Sequence, residues 1–122
     1  MKLRLGIVII GRNEGDRLER CIRSVLGRGP IVYADSGSRD QSRERARALG
    51  AEVVEVKPPY TAAGGRNAGF QRLTELYPEI DVVQFLDGDT EVIDGWIDHA
   101  IATLDARDDV TAVCGRRRER HP

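Results

Sequence analysis

Cysteine and lysine are both scarce in this sequence, and it has no apolar run long enough to cross a membrane. Cys21 and Cys114 are the only cysteines. They share no C-x-x-C spacing and stand near no histidine cluster, which excludes a zinc ribbon or a dithiol redox motif and predicts two buried free thiols in a reducing compartment. The amino-terminal apolar run from Leu5 to Ile10 is far below the roughly 20 residues of a membrane span. No small-residue cleavage site follows it, so it reads as a strand of a cytoplasmic protein. Only Lys2 and Lys57 are lysines among 19 basic residues, which leaves 17 arginines. Arginine binds phosphate bidentately, so some of these suit an anionic ligand, although their number alone does not say which.

The basic residues are nearly balanced by 20 acidic ones for a net charge of -1, with 40% hydrophobic and 32% charged residues. These proportions describe a soluble globular chain, with nothing to suggest a nucleic-acid binder. A length of 122 residues supports one core and not two.

Strand-like and helix-like segments alternate along the chain. Residues 3–10 form a β-branched run ending at Gly11, the profile of a strand buried on both faces. Leu18, Cys21, Ile22, Val25 and Leu26 then recur at helical spacing, with Asn13 or Asp16 as N-cap and Gly27 and Gly29 closing the end. IVYA at 31–34 predicts a second strand, and Ser38 and Gln41 a capping box before an arginine-rich helix that stops at Gly50. AEVVEV at 51–56 predicts a third strand, ended by Pro58 and Pro59. A glycine-rich loop, TAAGG, leads to a helix with Phe70, Leu73, Leu76 and Tyr77 on one side. VVQFL at 82–86 is the fourth strand. A helix phased by Ile93, Trp96, Ile97, Ala100, Ile101 and Leu104 precedes a fifth strand, VTAVC at 110–114. The alternation predicts an α/β protein with a mostly parallel sheet covered on both faces, a Rossmann-like α/β/α sandwich. It occupies residues 1–115, and residues 116–122 form a basic tail whose plain reading is a solvated end and whose alternative is phosphate binding.

Ligands of open parallel sheets bind beyond the carboxyl ends of the strands, and the residues at those ends are polar here. Gly11-Arg12-Asn13-Glu14 follows the first strand, Asp35-Ser36-Gly37-Ser38 the second and Asp87-Gly88-Asp89 the fourth. Two carboxylates flanking a glycine suit magnesium or manganese, which take one or two carboxylates and fill the rest of their shell with water and phosphate oxygens. Asp-x-Asp is also common in ordinary loops, and Asp35 fits a turn or an N-cap equally well. Arg66 and Asn67 follow Gly64-Gly65 at the expected helix start, where free N–H groups favour an anion, yet Asn67 could equally be a cap and Arg66 solvated.

In order, IGRNEG at 10–15, ADSGSRD at 34–40, GGRNAG at 64–69 and FLDGDTEV at 85–92 resemble the motifs of the family 2 glycosyltransferases, which have the GT-A fold. The resemblance implies a nucleotide-sugar site made of Gly11, Asn13, Glu14, Asp35, Ser36, Gly37, Arg66, Asp87 and Gly88. In it, Asp35 resembles the aspartate that recognises the base, usually uracil, with the backbone near Ile10 and Gly11 lining the pocket. Glu14 is similar to the acid near the ribose, Arg66 to the arginine by base and diphosphate, Asp87 to the ribose-side aspartate and Asp89 to the metal ligand. Ser36 stands where many members have a second aspartate, a departure that weakens any inference about base preference. The family's acceptor site and general base lie beyond the Asp-x-Asp segment, so the resemblance implies a chain truncated before them.

The expected chemistry is one inverting displacement at the anomeric carbon of a UDP-sugar, with Mn2+ or Mg2+ and an arginine stabilising the departing diphosphate. The isolated chain is expected to bind donor and to transfer weakly or not at all. Self-association, or pairing with another chain, is expected through the face left bare by the missing half. A sugar nucleotidyltransferase is the rival enzyme, but Gly11-Arg12-Asn13-Glu14 lacks its G-x-G-x-R loop. A haloacid-dehalogenase-like phosphatase needs Thr or Val where Glu91 stands, and an EF-hand needs glycine where Val92 stands. A non-catalytic nucleotide-binding or interaction module is the reading from outside enzymology.

Overall fold

A computed structural model describes residues 3–115. Its first strand, β1 (Leu5–Gly11), is buried on both faces, as its apolar run requires. Ile7 and Ile9 enter one core while Val8 and Ile10 enter the other, none of them more than 9% exposed. Full burial of each such side chain contributes about 1.5–3 kcal/mol, so this strand anchors both cores.

β2 (Ile31–Asp35), β3 (Glu52–Glu55) and β4 (Val82–Asp87) join β1 in a four-stranded sheet of order β3-β2-β1-β4, with every pairing parallel. On one face, Leu18, Cys21 and Ile22 of α1 (Asp16–Arg23), Ala46 of α2 (Ser42–Ala48) and Ile97 of α4 (Trp96–Ala106) pack with Ile7, Ile9 and Tyr33. On the other, Leu73 of α3 (Ala62–Leu76) packs on Val8, Val32 and Ala34. The result is the three-layer α/β sandwich that the alternation predicts.

α3 lies close on the sheet because its inner face carries glycines. A Cβ on Gly69 would come within 2.4 Å of Val8 Cγ1, and one on Gly65 within 3.2 Å of Ile10 Cγ2. Any larger residue at these positions would push the helix away from β1.

The structure departs from the sequence expectations at several element ends. Residues 110–114 form no strand. Thr111, Ala112 and Cys114 are exposed, and the segment ends with Gly115 against the Trp96 indole instead of along a strand. Cys114 is therefore an exposed thiol, whereas Cys21 is buried as expected. α1 is capped by Gly15, without a side-chain bond from Asn13 or Asp16. α2 starts from Gln41 without a capping box, since the Ser38 hydroxyl bonds Asp35 instead. TAAGG is mostly helix: the Thr61 hydroxyl accepts from Gly64 N–H at 2.9 Å, which starts α3 ahead of Arg66 and Asn67. Leu26 and Ile93 fall outside their helices and are exposed. No helix among the described residues is long and apolar enough to cross a membrane. The basic tail expected at 116–122 lies outside the described residues.

Candidate functional site

The strand order creates a switch point at β1. The chain steps from β1 to β2 and β3 on one side, then crosses behind the sheet through α3 to place β4 on the other. The loops leaving β1 and β4 both run to helices on one face, α1 and α4, and meet above the carboxyl ends of the two strands, the rim where open α/β sheets bind ligands. Ile10 pairs with Asp87 in register, and Gly88 N–H donates to Ile10 carbonyl at 2.7 Å, carrying the pairing one residue past the strand.

The loops after β1 and β2 brace one another. Asn13 has a left-handed backbone, φ 52°, uncommon for a residue with a side chain. Its N–H donates to the Ser38 hydroxyl at 2.9 Å, and its Oδ1 accepts from Arg39 N–H at 2.7 Å and Asp40 N–H at 3.3 Å. Asp40 returns the contact, accepting from Gly15 N–H at 3.2 Å and Ser42 N–H at 2.9 Å. Burial opposes ionisation of Asp40, yet the donors from Ser42 and Gly15 prevail and hold its carboxyl below its ordinary range.

Asp35 ends β2 fully buried. Its Oδ1 accepts from Tyr33 hydroxyl at 2.7 Å and from Ser38 hydroxyl, its Oδ2 accepts from Ser38 N–H at 2.9 Å, and Arg43 lies 3.8 Å away. Burial, reinforced by the bond to Asp35, raises the Tyr33 phenol above its ordinary value, so Tyr33 stays a neutral donor. Ser36 and Gly37, directly after Asp35, are half-buried on the rim.

Asp87 and Asp89 stand on an exposed turn in which Asp87 carbonyl accepts from Thr90 N–H at 3.0 Å and Thr90 hydroxyl at 2.7 Å. Gly88 between them is buried. A Cβ there would sit 3.1 Å from Ile10 carbonyl oxygen and 3.2 Å from Glu14 Cγ, which brings the β1 loop against this turn. Burial is the first cause of the raised Glu14 pKa, partly offset by Arg17 and reinforced by Asp89. Across the crevice, Arg66 of α3 pairs with Asp87 at 3.6 Å, both side chains about half exposed. Such a pair contributes at most about 1 kcal/mol, so neither group is committed to the fold. Glu14, Arg66, Asp87, Gly88 and Asp89 thus meet on one rim, whereas Asp35 is wholly buried at the end of β2.

Arg12, within the first motif but assigned no role there, and Tyr60, outside every motif, also belong to this rim. The Arg12 guanidinium lies 5.3 Å from the Tyr60 ring centroid, and a Cβ on Gly37 would be 2.7 Å from the Tyr60 hydroxyl. Tyr60 follows two prolines in an exposed loop, and nothing in its local sequence points to the rim. Asp40 lies within ADSGSRD, where its spacing from Asp35 was a usable signal.

No group of three or more metal-binding side chains occurs among the described residues. Asp87 and Asp89 instead offer the one or two carboxylates typical of a magnesium or manganese site completed by ligand phosphates. A cleft of about 1080 Å³ lies at the amino ends of the strands, lined by Leu3, Arg4, Pro30, Ile80 and Asp98. It contains none of the strand-end polar residues, and the chemistry gathers at the opposite rim.

The sequence matches the Glycosyl transferase family 2 model over residues 6–121. Among solved structures, the fold is similar to glucosyl-3-phosphoglycerate synthase from Mycobacterium tuberculosis, solved with Mn2+, uridine diphosphate and glucosyl-3-phosphoglycerate. That similarity has a TM-score of 0.57 at 23% identity and covers 73% of this chain and 36% of that one. The chain therefore spans roughly a third of that enzyme's length. A superposition on phosphoribosylglycinamide formyltransferase from Anaplasma phagocytophilum, at 14% identity, covers 81% of this chain and 46% of the other; its TM-score of 0.38 carries no weight.

Proposed function

The chain belongs to glycosyl transferase family 2, and from that premise we propose that it is the donor half of a metal-dependent glycosyltransferase. It binds a UDP-sugar with Mn2+ or Mg2+ for inverting transfer to an acceptor hydroxyl. The observation that carries this reading is the meeting of Arg66 with Asp87 at 3.6 Å above the β1/β4 switch point. A cation and two carboxylates share one solvent-open crevice there, with no apolar burial that would otherwise explain them.

In this reading Asp89 ligates the metal and Asp87 turns to the ribose, releasing Arg66 to the diphosphate. When bound, the metal supplies positive charge that stabilises the departing diphosphate. Arg66 adds two or more donors to the same oxygens. Gly88 keeps the turn close to β1, and Glu14 stands at the ribose side. The base lies over Gly11, Asn13, Ser36 and Gly37. Asp35 serves it from beneath: its oxygens are taken by Tyr33 and Ser38, so it fixes the loop that lines the pocket. No residue among 3–115 is assigned as general base, and transfer by the isolated chain is expected to be weak or absent. The free Cys21 and Cys114 suit a reducing, cytoplasmic setting.

Calorimetric titration of UDP, with and without Mn2+, on the wild-type chain and Asp89→Ala tests the reading. The expected result is metal-dependent binding that Asp89→Ala abolishes. A folded wild-type chain that binds no UDP refutes it.

One observation favours a second role as a pairing module. Phe70 and Phe85, 45% and 41% exposed, lie with ring centroids 6.4 Å apart beside the outer edge of β4. An aromatic pair bared in this way suits contact with another chain or a second copy.

A further inference from the structure

Beneath the turn that carries Asp87 and Asp89 lies the carboxyl end of α1, whose contacts the donor-site reading leaves unused. Ser24, the C-cap of α1, has its hydroxyl engaged in both senses. It donates to Cys21 carbonyl at 2.6 Å and accepts from Val92 N–H at 3.0 Å. The Cys21 thiol donates to Asp87 carbonyl at 3.6 Å, the acceptor that also serves Thr90, and Arg20 lies 3.5 Å from Glu91. Burial pushes this thiol up to about 12, which keeps it protonated as a donor.

The backbone of the segment from Gly88 to Val92 is thus tied at both ends, with the Arg20–Glu91 pair between them. Gly88 N–H is tied to Ile10 of β1, and Val92 N–H is tied to Ser24 of α1. Asp89 lies between them with its carboxylate exposed. Val92 packs its side chain against the core below, while Asp89, Thr90 and Glu91 bury little, so the placement of these three rests on polar contacts and on how Val92 N–H is held. A thiol is a weak donor, so of the two hydrogen bonds to the end of α1 the one from Val92 N–H to the Ser24 hydroxyl is the stronger.

We propose that Ser24 is a positioning residue for the metal site, clamping Val92 N–H to the end of α1 so that Asp89 is held where it meets the ion. The inference rests on the donor-site reading and adds a residue outside all four motifs. Magnesium and manganese tolerate little error in ligand placement, so a carboxylate on a loosened turn loses affinity even with its own atoms intact.

The test is calorimetric titration of UDP into the whole chain, with and without Mn2+, for wild type, Ser24→Ala and Ser24→Thr. Ser24→Ala should lower affinity in Mn2+ by about tenfold, the low end of what loss of a supporting hydrogen bond costs a metal site. It should leave the metal-free affinity unchanged, and Ser24→Thr, which keeps the hydroxyl, should restore the metal effect. Equal losses with and without Mn2+ would show a merely structural role and overturn the proposal, as would full metal dependence in Ser24→Ala. A wild-type chain that binds no UDP removes the donor-site reading itself, an outcome distinct from either.

Discussion

The Asn13 amide donates to the Ser38 hydroxyl at 2.9 Å, and that hydroxyl in turn donates to the buried Asp35 carboxylate. One serine therefore joins the loops after β1 and β2 and ties both to the end of a strand. It also explains how Asn13 holds its left-handed backbone, since Arg39 and Asp40 N–H groups fix the Asn13 side chain from the same loop.

Ser38→Ala should therefore cost more than a surface substitution. It leaves Asp35 a hydrogen bond short and Asn13 N–H without its acceptor, a loss of roughly 1–3 kcal/mol. Urea unfolding should show a lower midpoint with an unchanged slope. A midpoint equal to that of wild type would mean that the clasp contributes nothing.

Gly69→Ala sets two effects against each other. Helix propensity favours alanine by about 1 kcal/mol, while overpacking a core costs about 1–3 kcal/mol. The new Cβ would lie 2.4 Å from Val8 Cγ1, and Val8 is wholly buried and cannot swing aside. The clash should win, giving a net loss of up to about 2 kcal/mol in chemical denaturation.

Arg66→Ala should separate binding from stability. Its ion pair with Asp87 is half exposed, so the melting temperature should scarcely move. UDP affinity should fall by about tenfold as a charge-assisted contact to phosphate is lost. The wild type should lose affinity with added salt more steeply than the mutant. A parallel salt dependence would place Arg66 away from the diphosphate.

Two carboxyls give opposite pH signatures. Asp40 is more acidic when folded than its ordinary 3.8, so its contribution is present above that pH and is lost as pH falls through the folded value. Asp40→Asn should flatten this acid-side loss. Glu14 is less acidic than its ordinary 4.5, so its contribution is full below that pH and disappears as pH rises through the folded value. Glu14→Gln should therefore gain stability relative to wild type above that range and not below it. Urea midpoints measured from pH 3 to about pH 7 check both signs.

Phe85→Ser should reduce self-association without unfolding the chain, because the ring is 41% exposed and packs on Phe70 rather than inside a core. Sedimentation at increasing concentration should show a smaller weight-average mass than wild type. An unchanged profile would assign association to another surface.

The legible parts of the site were those where one residue type in one place does the work. Asp87, Gly88 and Asp89 are marked by their place directly after an apolar strand, since Asp-x-Asp by itself is common, and Asp87 meets Arg66 because both segments end on the same rim. Tyr60 and Ser24 were not legible. Their roles come from partners distant in sequence, Arg12 and Gly37 for one and Val92 for the other. Helix starts were misplaced for a related reason. Ser38, a good cap by sequence, is drawn to Asp35, and Thr61 caps a turn that glycine content had assigned to a loop.

The alternation of strand and helix, the double-faced burial of β1 and the polar residues at strand ends are all readable along the chain, because apolar periodicity and local chemistry are properties of sequence neighbours. Packing in three dimensions set the rest: 110–114 forms no strand, Cys114 is exposed, and Asp35 is wholly buried with Tyr33 and Ser38 as partners. Each of those depends on which surface is left to pack against or which donor lies within reach. Those are matters of distance in space, which fall outside the spacing of residues along a chain.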